Sequence, residues 1–166
     1  CLVPSGKSQV SPYFSGEAIN YNGRVIFGTT NSRELELFTL ENNRIKLLAT
    51  ITADDSWQNT FYDLVFSIDD GRLYVYLVNG PSLYKYDISN LTTYSLVNKV
   101  QDNSKDYFYG LVKDDGQIAT IGEKNVKVWN RNLEVINTFD IPRRQVKGIA
   151  FSQNGNWLFN TNANNL

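Results

Sequence analysis

The side chains able to do chemistry in this chain are few, and most are carboxylates. Asp54-Asp55, Asp69-Asp70 and Asp114-Asp115 are adjacent acidic pairs, and Asp102 and Asp106 flank Lys105. Carboxylates on loops bind calcium through hard oxygen ligands or take up a proton as a general base. Two of the pairs run directly into glycine, as Asp69-Asp70-Gly71 and Asp114-Asp115-Gly116. There aspartate suits the geometry of a turn. Asp54-Asp55 lacks such a glycine and is followed by Trp57 and Gln58. Trp57 in a polar stretch reads as a contact anchor, because tryptophan and arginine dominate interface hot spots. Its alternative is to fold back onto the neighbouring strand. Arg143-Arg144 is the other candidate contact pair, with a solvated surface pair as its alternative.

Other chemistries are closed off by composition. The chain has no histidine, which excludes a Ser-His-Asp or Cys-His relay. Its one cysteine, Cys1, permits no intrachain disulfide and leaves no ordinary zinc ligand set. No glycine-rich phosphate loop precedes a helix, and no stretch reads as a helix. The net charge of −1 supplies no field for nucleic acid or an anionic membrane, and two arginines do not make a nucleic-acid patch. No apolar run approaches the ~20 residues that span a bilayer.

Methionine is absent, including at position 1, so a processed chain or a fragment is expected. A signal peptide removed just before Cys1 would leave that residue to be lipidated, as in bacterial lipoproteins, with Val3–Ser11 as a tether. This reading expects an anchored or secreted protein; a fragment that happens to begin at Cys1, or an intracellular scaffold, is the alternative. Asn90-Leu91-Thr92 matches a glycosylation acceptor, which matters only in a eukaryotic secretory setting.

These residues must be positioned by strands. Four segments share an apolar run, a polar turn with glycine and a second apolar run: Glu17–Phe27, Tyr62–Leu77, Tyr107–Ile121 and Val146–Phe159. Their glycines, Gly23, Gly71, Gly116 and Gly155, are 48, 45 and 39 residues apart. Periods of about 40 to 50 residues suit propeller blades of four strands. A second landmark keeps the same register. Phe38-Thr39, Tyr86-Asp87 and Trp129-Asn130 each close a third strand, 15, 15 and 13 residues after the glycine. The predicted fold is all-β: four-stranded antiparallel propeller blades in an incomplete ring. Residues 1–12 form a flexible arm, and blades occupy about 13–53, 54–101, 102–141 and, in part, 142–166. The alternative is an ordinary all-β domain with recurring hairpins.

Gly148–Leu158 resembles the opening hairpin of a WD-repeat blade, and Val126-Lys127-Val128-Trp129-Asn130 resembles the strand that normally ends in Trp-Asp. The chain is thus similar to WD-repeat and YVTN-type propellers, although it lacks the histidine of the buried WD network. The resemblance bears on architecture, since propellers host many activities. The leading expectation is a non-catalytic module that binds or scaffolds protein or peptide through the connections between blades. Those connections gather Asp54, Asp55, Trp57, Asp102, Lys105, Asp106, Arg143 and Arg144. The resemblance to YVTN-type propellers also implies an alternative, a metal-assisted hydrolase or lactonase in which Asp54, Asp55 and Asp106 contribute and calcium is the cofactor. A third reading is a structural subunit of a larger ring or surface assembly. An arc of three and a half blades leaves edges and faces open. The remaining blades are therefore expected from a longer chain or from a second copy.

Overall fold

A computed structural model of the chain describes residues 16–30, 34–52, 63–103, 106–108, 110–114, 116–141, 146–151 and 157–161. Every regular element among them is a strand. β1 (Gly16–Tyr21), β2 (Arg24–Thr30), β3 (Glu34–Glu41) and β4 (Arg44–Thr52) form one antiparallel sheet in that order. β5 (Asp63–Asp69), β6 (Arg72–Asn79), β7 (Ser82–Asp87) and β8 (Ser95–Gln101) form the second. β9 (Gly110–Asp114), β10 (Gln117–Ile121), β11 (Asn125–Asn130) and β12 (Val135–Asp140) form the third. β13 (Val146–Phe151) and β14 (Trp157–Thr161) pair as a hairpin. Successive sheets meet at their first strands: β1 beside β5, β5 beside β9, and β9 beside β13. The sheets are propeller blades, numbered 1 to 3 below, and the described strands form an open arc with β1, β5, β9 and β13 innermost.

The hairpin turns explain the first sequence landmark. Asn22 (φ 50) and Gly23 (φ 76) are the two central residues between β1 and β2, and Asp70 (φ 50) and Gly71 (φ 75) repeat them between β5 and β6. Two consecutive positive φ values are what a tight hairpin turn needs to match strand twist, which selects Asn-Gly and Asp-Gly. Gly116 takes φ 80 at the same station between β9 and β10. Gly155 lies outside the described residues.

The aromatic landmark has an equally local cause. In all three blades the ladder to the fourth strand shifts register at that residue: between Leu37 and Phe38, Lys85 and Tyr86, and Val128 and Trp129. Each is a β-bulge, which bends the outer strand and disturbs its edge. The polar residue after the aromatic then serves the sheet. Thr39 Oγ1 donates to the Val25 carbonyl at 3.0 Å. Asp87 Oδ1 accepts the Ser89 amide at 2.9 Å, and Asn130 Oδ1 accepts the amides of Asn132 and Glu134 at 2.9 and 3.0 Å. The turns so capped carry Leu91 (φ 64) and Leu133 (φ 62) in left-handed backbone. Leu133 is nonetheless buried at the junction of blades 2 and 3, which offsets a conformation leucine disfavours.

Blade 2 shows the core most clearly, because it is covered on both sides. Leu73, Val75 and Leu77 of β6 pack with Ile26, Leu35 and Leu37 of blade 1. The alternate residues Tyr76 and Val78 pack with Leu111, Ile118 and Trp129 of blade 3. Period-two alternation therefore sends successive residues into two different cores, and β6 reads as an almost continuous apolar run.

Candidate functional site

Each blade has two ends. The turns β1–β2 and β3–β4 and their counterparts lie at the hairpin end. The links between blades emerge at the opposite, crossover end, together with the β2–β3, β6–β7 and β10–β11 turns. Of the acids expected on the links between blades, two are described, Asp102 and Asp106, and both lie at the crossover end.

Asp106 is buried, and its carboxylate accepts three backbone amides of the β10–β11 turn. Oδ1 takes Glu123 N at 2.9 Å, while Oδ2 takes Lys124 N at 3.0 Å and Asn125 N at 3.2 Å. Gly122 packs against it so closely that a Cβ there would clash with Asp106 Oδ2. Asp102 is also buried, and its Oδ1 lies 2.6 Å from Lys127 Nζ, itself largely covered. Backbone bonds complete the frame: Asp102 N to the Pro81 carbonyl and Phe108 N to the Gly80 carbonyl, both at 2.8 Å, and Ile141 N to the Lys124 carbonyl at 2.9 Å. The result is a fixed platform at the junction of blades 2 and 3. Asn103 and Lys124 are exposed on it, and Tyr107 and Glu123 half-buried. Asp54, Asp55, Trp57, Lys105, Arg143, Arg144 and Cys1 lie outside the described residues. Among the described residues no three His, Cys, Asp or Glu side chains converge as a metal site.

A second polar cluster lies toward the hairpin end of the same junction, and sequence reasoning missed it. Lys85, in the middle of β7, is buried. Its Nζ stands 4.3 Å from the Tyr74 ring centroid and 5.5 Å from that of Tyr76, and donates to the Arg131 carbonyl at 3.1 Å. Burial lowers its pKa against the attraction of Asp69. Burial also raises that of the Tyr76 hydroxyl, reinforced by the Asp69 carboxylate beside it. Asp69 Oδ1 in turn lies 3.6 Å from Arg131 Nε. A lysine, a tyrosine and a carboxylate could pass protons, but the cleft lined by Ser67, Asp69, Tyr76, Lys113, Gln117 and Arg131 is closed to a water-sized group. The cluster joins two blades. The reading of Asp69-Asp70-Gly71 as turn residues holds for Asp70 and Gly71; Asp69 ends β5 and points its charge into this cluster.

A third arrangement recurs at the inner edge. The Glu17 carboxylate on β1 accepts the Phe66 amide of β5. Asp63 Oδ2 on β5 accepts the Leu111 amide of β9 at 2.8 Å. Phe66 and Leu111 occupy one station, five residues before Gly71 and Gly116. Blades 1 and 2 thus each cap an edge N–H of the following blade with a carboxylate. Burial raises the Glu17 pKa, opposed by the Phe66 amide and by Lys113.

No protein-family model matches the chain, and no curated protein sequence does. A solved structure described as dihydro-heme d1 dehydrogenase NirN in complex with DHE is similar, with a TM-score of 0.60 at 14% identity. The likeness covers 77% of this chain but 28% of that one. At such identity it speaks to the fold alone. Together with the three four-stranded sheets it defines a propeller-like module.

Proposed function

We propose that the chain is a non-catalytic module of a β-propeller, with blades of the WD-repeat or YVTN type, that binds a protein or peptide through the loops of its crossover end. The supporting observation is the use made of Asp106. Its oxygens are occupied by three backbone amides, so it stiffens a platform instead of facing a substrate or an ion. Loops carried on a rigid scaffold are where binding concentrates. In this reading Trp57, Arg143 and Arg144 are contact residues, Asp54 and Asp55 set the charge of the loop, and Asp106 holds the frame. A lipid on Cys1 would place the module at a membrane.

Photo-crosslinkers at Lys124 and at Asn42, one at each end of the blades, test this reading. A protein or peptide adduct is expected from Lys124 alone, weakened by Trp57→Ala or Arg143→Ala. Equal adducts from both ends, or adducts indifferent to both substitutions, would remove the proposed face. A calcium-induced thermal shift abolished by Asp54→Asn or Asp55→Asn would instead favour a metal-assisted hydrolase.

A further inference from the structure

Blade 1 has one side that no described residue covers. Alternation places Val25, Phe27, Phe38, Leu40, Ile45 and Leu47 there. Phe27 and Phe38 stack with centroids 5.6 Å apart. Val25 is 49% exposed and Leu40 52%. The molecule supplies its own control. Leu73 occupies the station of Val25, two residues after the hairpin glycine, and Ile88 that of Leu40, two residues after the landmark aromatic. Both are 0% exposed, buried in the core that blades 1 and 2 share. Val25, Leu40 and the partly covered rings of Phe27 and Phe38 are the apolar surface that sets this side apart, whereas Ile45 and Leu47 lie on the outer strand, where Leu96 of the covered blade 2 is likewise 46% exposed.

The inner edge gives a second, separate pointer. Ala18 lies five residues before Gly23 and pairs with Phe27, as Phe66 pairs with Val75 and Leu111 with Thr120. Its amide therefore has the same outward direction as the two that receive Glu17 and Asp63. Glu36 supplies a third. It shares the bare side and stands two residues before the landmark aromatic, where blade 3 has Lys127 paired with Asp102. A charge so placed is covered only opposite a counter-charge.

We propose that this side of blade 1 is covered by a further four-stranded blade of the same polypeptide, whose first strand brings a carboxylate to the Ala18 amide and whose facing side brings a cation to Glu36. Face-to-face pairing with a second copy fits less well. It would bring Glu36 no cation, because the alternating strand positions of that face carry Glu34 and Glu36 but no lysine or arginine. It would also set Gly16, Ala18 and Asn20 of one copy against the same residues of the other, with no carboxylate for Ala18. A linked blade is favoured besides, because the tether supplies a high effective concentration.

Amide hydrogen exchange on the polypeptide isolated from its native source, and on residues 1–166 alone, tests the proposal. In the native polypeptide Ala18 is expected to exchange as slowly as Phe66 and Leu111, at least ~100-fold slower than in residues 1–166. Leu40→Glu should return the Ala18 rate toward that of the shorter chain. That variant decides the matter should residues 1–166 not fold alone: an Ala18 rate unmoved by it overturns the proposal. So does free exchange at Ala18 in the native polypeptide. Protection already present in monomeric residues 1–166 would mean that the chain covers itself. Protection that appears only with doubling of the 18.9 kDa mass would assign the face to a second copy. Either result overturns the proposal.

Discussion

Replacing Asp106 by alanine should cost about 3–4 kcal/mol of stability and leave calcium affinity unchanged. The side chain accepts three amides, of which that of Asn125 is fully buried and those of Glu123 and Lys124 partly so. A hydrogen bond to a charged group contributes about 1.5–3 kcal/mol, and a buried donor left without a partner costs about 1–3. The three bonds share one acceptor and are not additive, and water can reach two of the donors, so the total falls below the simple sum. For a chain of this size about 2–4 °C of melting temperature accompanies each kcal/mol, giving a fall of roughly 6–16 °C. Asp106→Asn keeps one carbonyl oxygen and should lose about half as much. Urea denaturation of the three proteins, with and without calcium, measures both quantities. A loss under ~0.5 kcal/mol for Asp106→Ala, within the range of an ordinary surface substitution, would refute the anchoring role. So would a calcium-dependent stabilisation of the wild type that the variant lacks.

Other substitutions probe the remaining contacts. Trp129→Phe removes the Nε1 bond to buried Thr120 Oγ1 at 2.9 Å and should cost about 1–3 kcal/mol by calorimetry; restoring stability with Thr120→Val in the same chain would confirm the cause. Glu17 has a pKa raised above its ordinary 4.5, so the native state holds a proton that the unfolded state releases. Stability should fall as pH rises from about 4.5 through the native pKa, and Glu17→Gln should flatten that fall in denaturation midpoints taken across the range. Asp87 behaves oppositely: burial would raise its pKa, but bonds from Ser89 and the charge of Arg72 outweigh it and lower the value below 3.8. Its contribution is present at neutral pH and lost as pH drops through the native pKa, and Asp87→Asn should remove that acid dependence. Lys85→Met keeps the stem and removes the buried charge; lost ring contacts of about 1–2 kcal/mol offset the relieved desolvation. A net change under ~1 kcal/mol is expected, and a loss above ~3 kcal/mol would mean that the charge itself holds the blades together.

The strands were legible because their signals are local. Asn22-Gly23 and Asp70-Gly71 announce turns through the backbone they tolerate, and alternation in Glu34–Leu40 shows a half-covered strand. The aromatic-plus-polar pairs were legible as landmarks, but their meaning was not, since a bulge depends on the partner strand. Asp106 was recognised as a loop acid and proposed as a binding group. Its true neighbours, residues 123–125, lie seventeen residues or more away, and no spacing rule connects them. Lys85 was hidden for a different reason. A lysine between two tyrosines in a strand looks half-exposed unless both sides of the sheet are known to be covered. Leu91 and Leu133 carry no turn signal, because their backbone is dictated by the caps at Asp87 and Asn130 and, for Leu133, by burial.

Because the four strands of each sheet are contiguous in sequence, and the inner edges of neighbours are stitched by a single carboxylate, a blade is a self-sufficient genetic unit. Duplication or loss of one stretch of roughly 40–50 residues would add or delete a wedge without re-registering any ladder. The only new requirements fall on two flanking surfaces and one acidic side chain. Such a step would change the number of blades while leaving the ladders and hairpin-end turns of the existing sheets as they are.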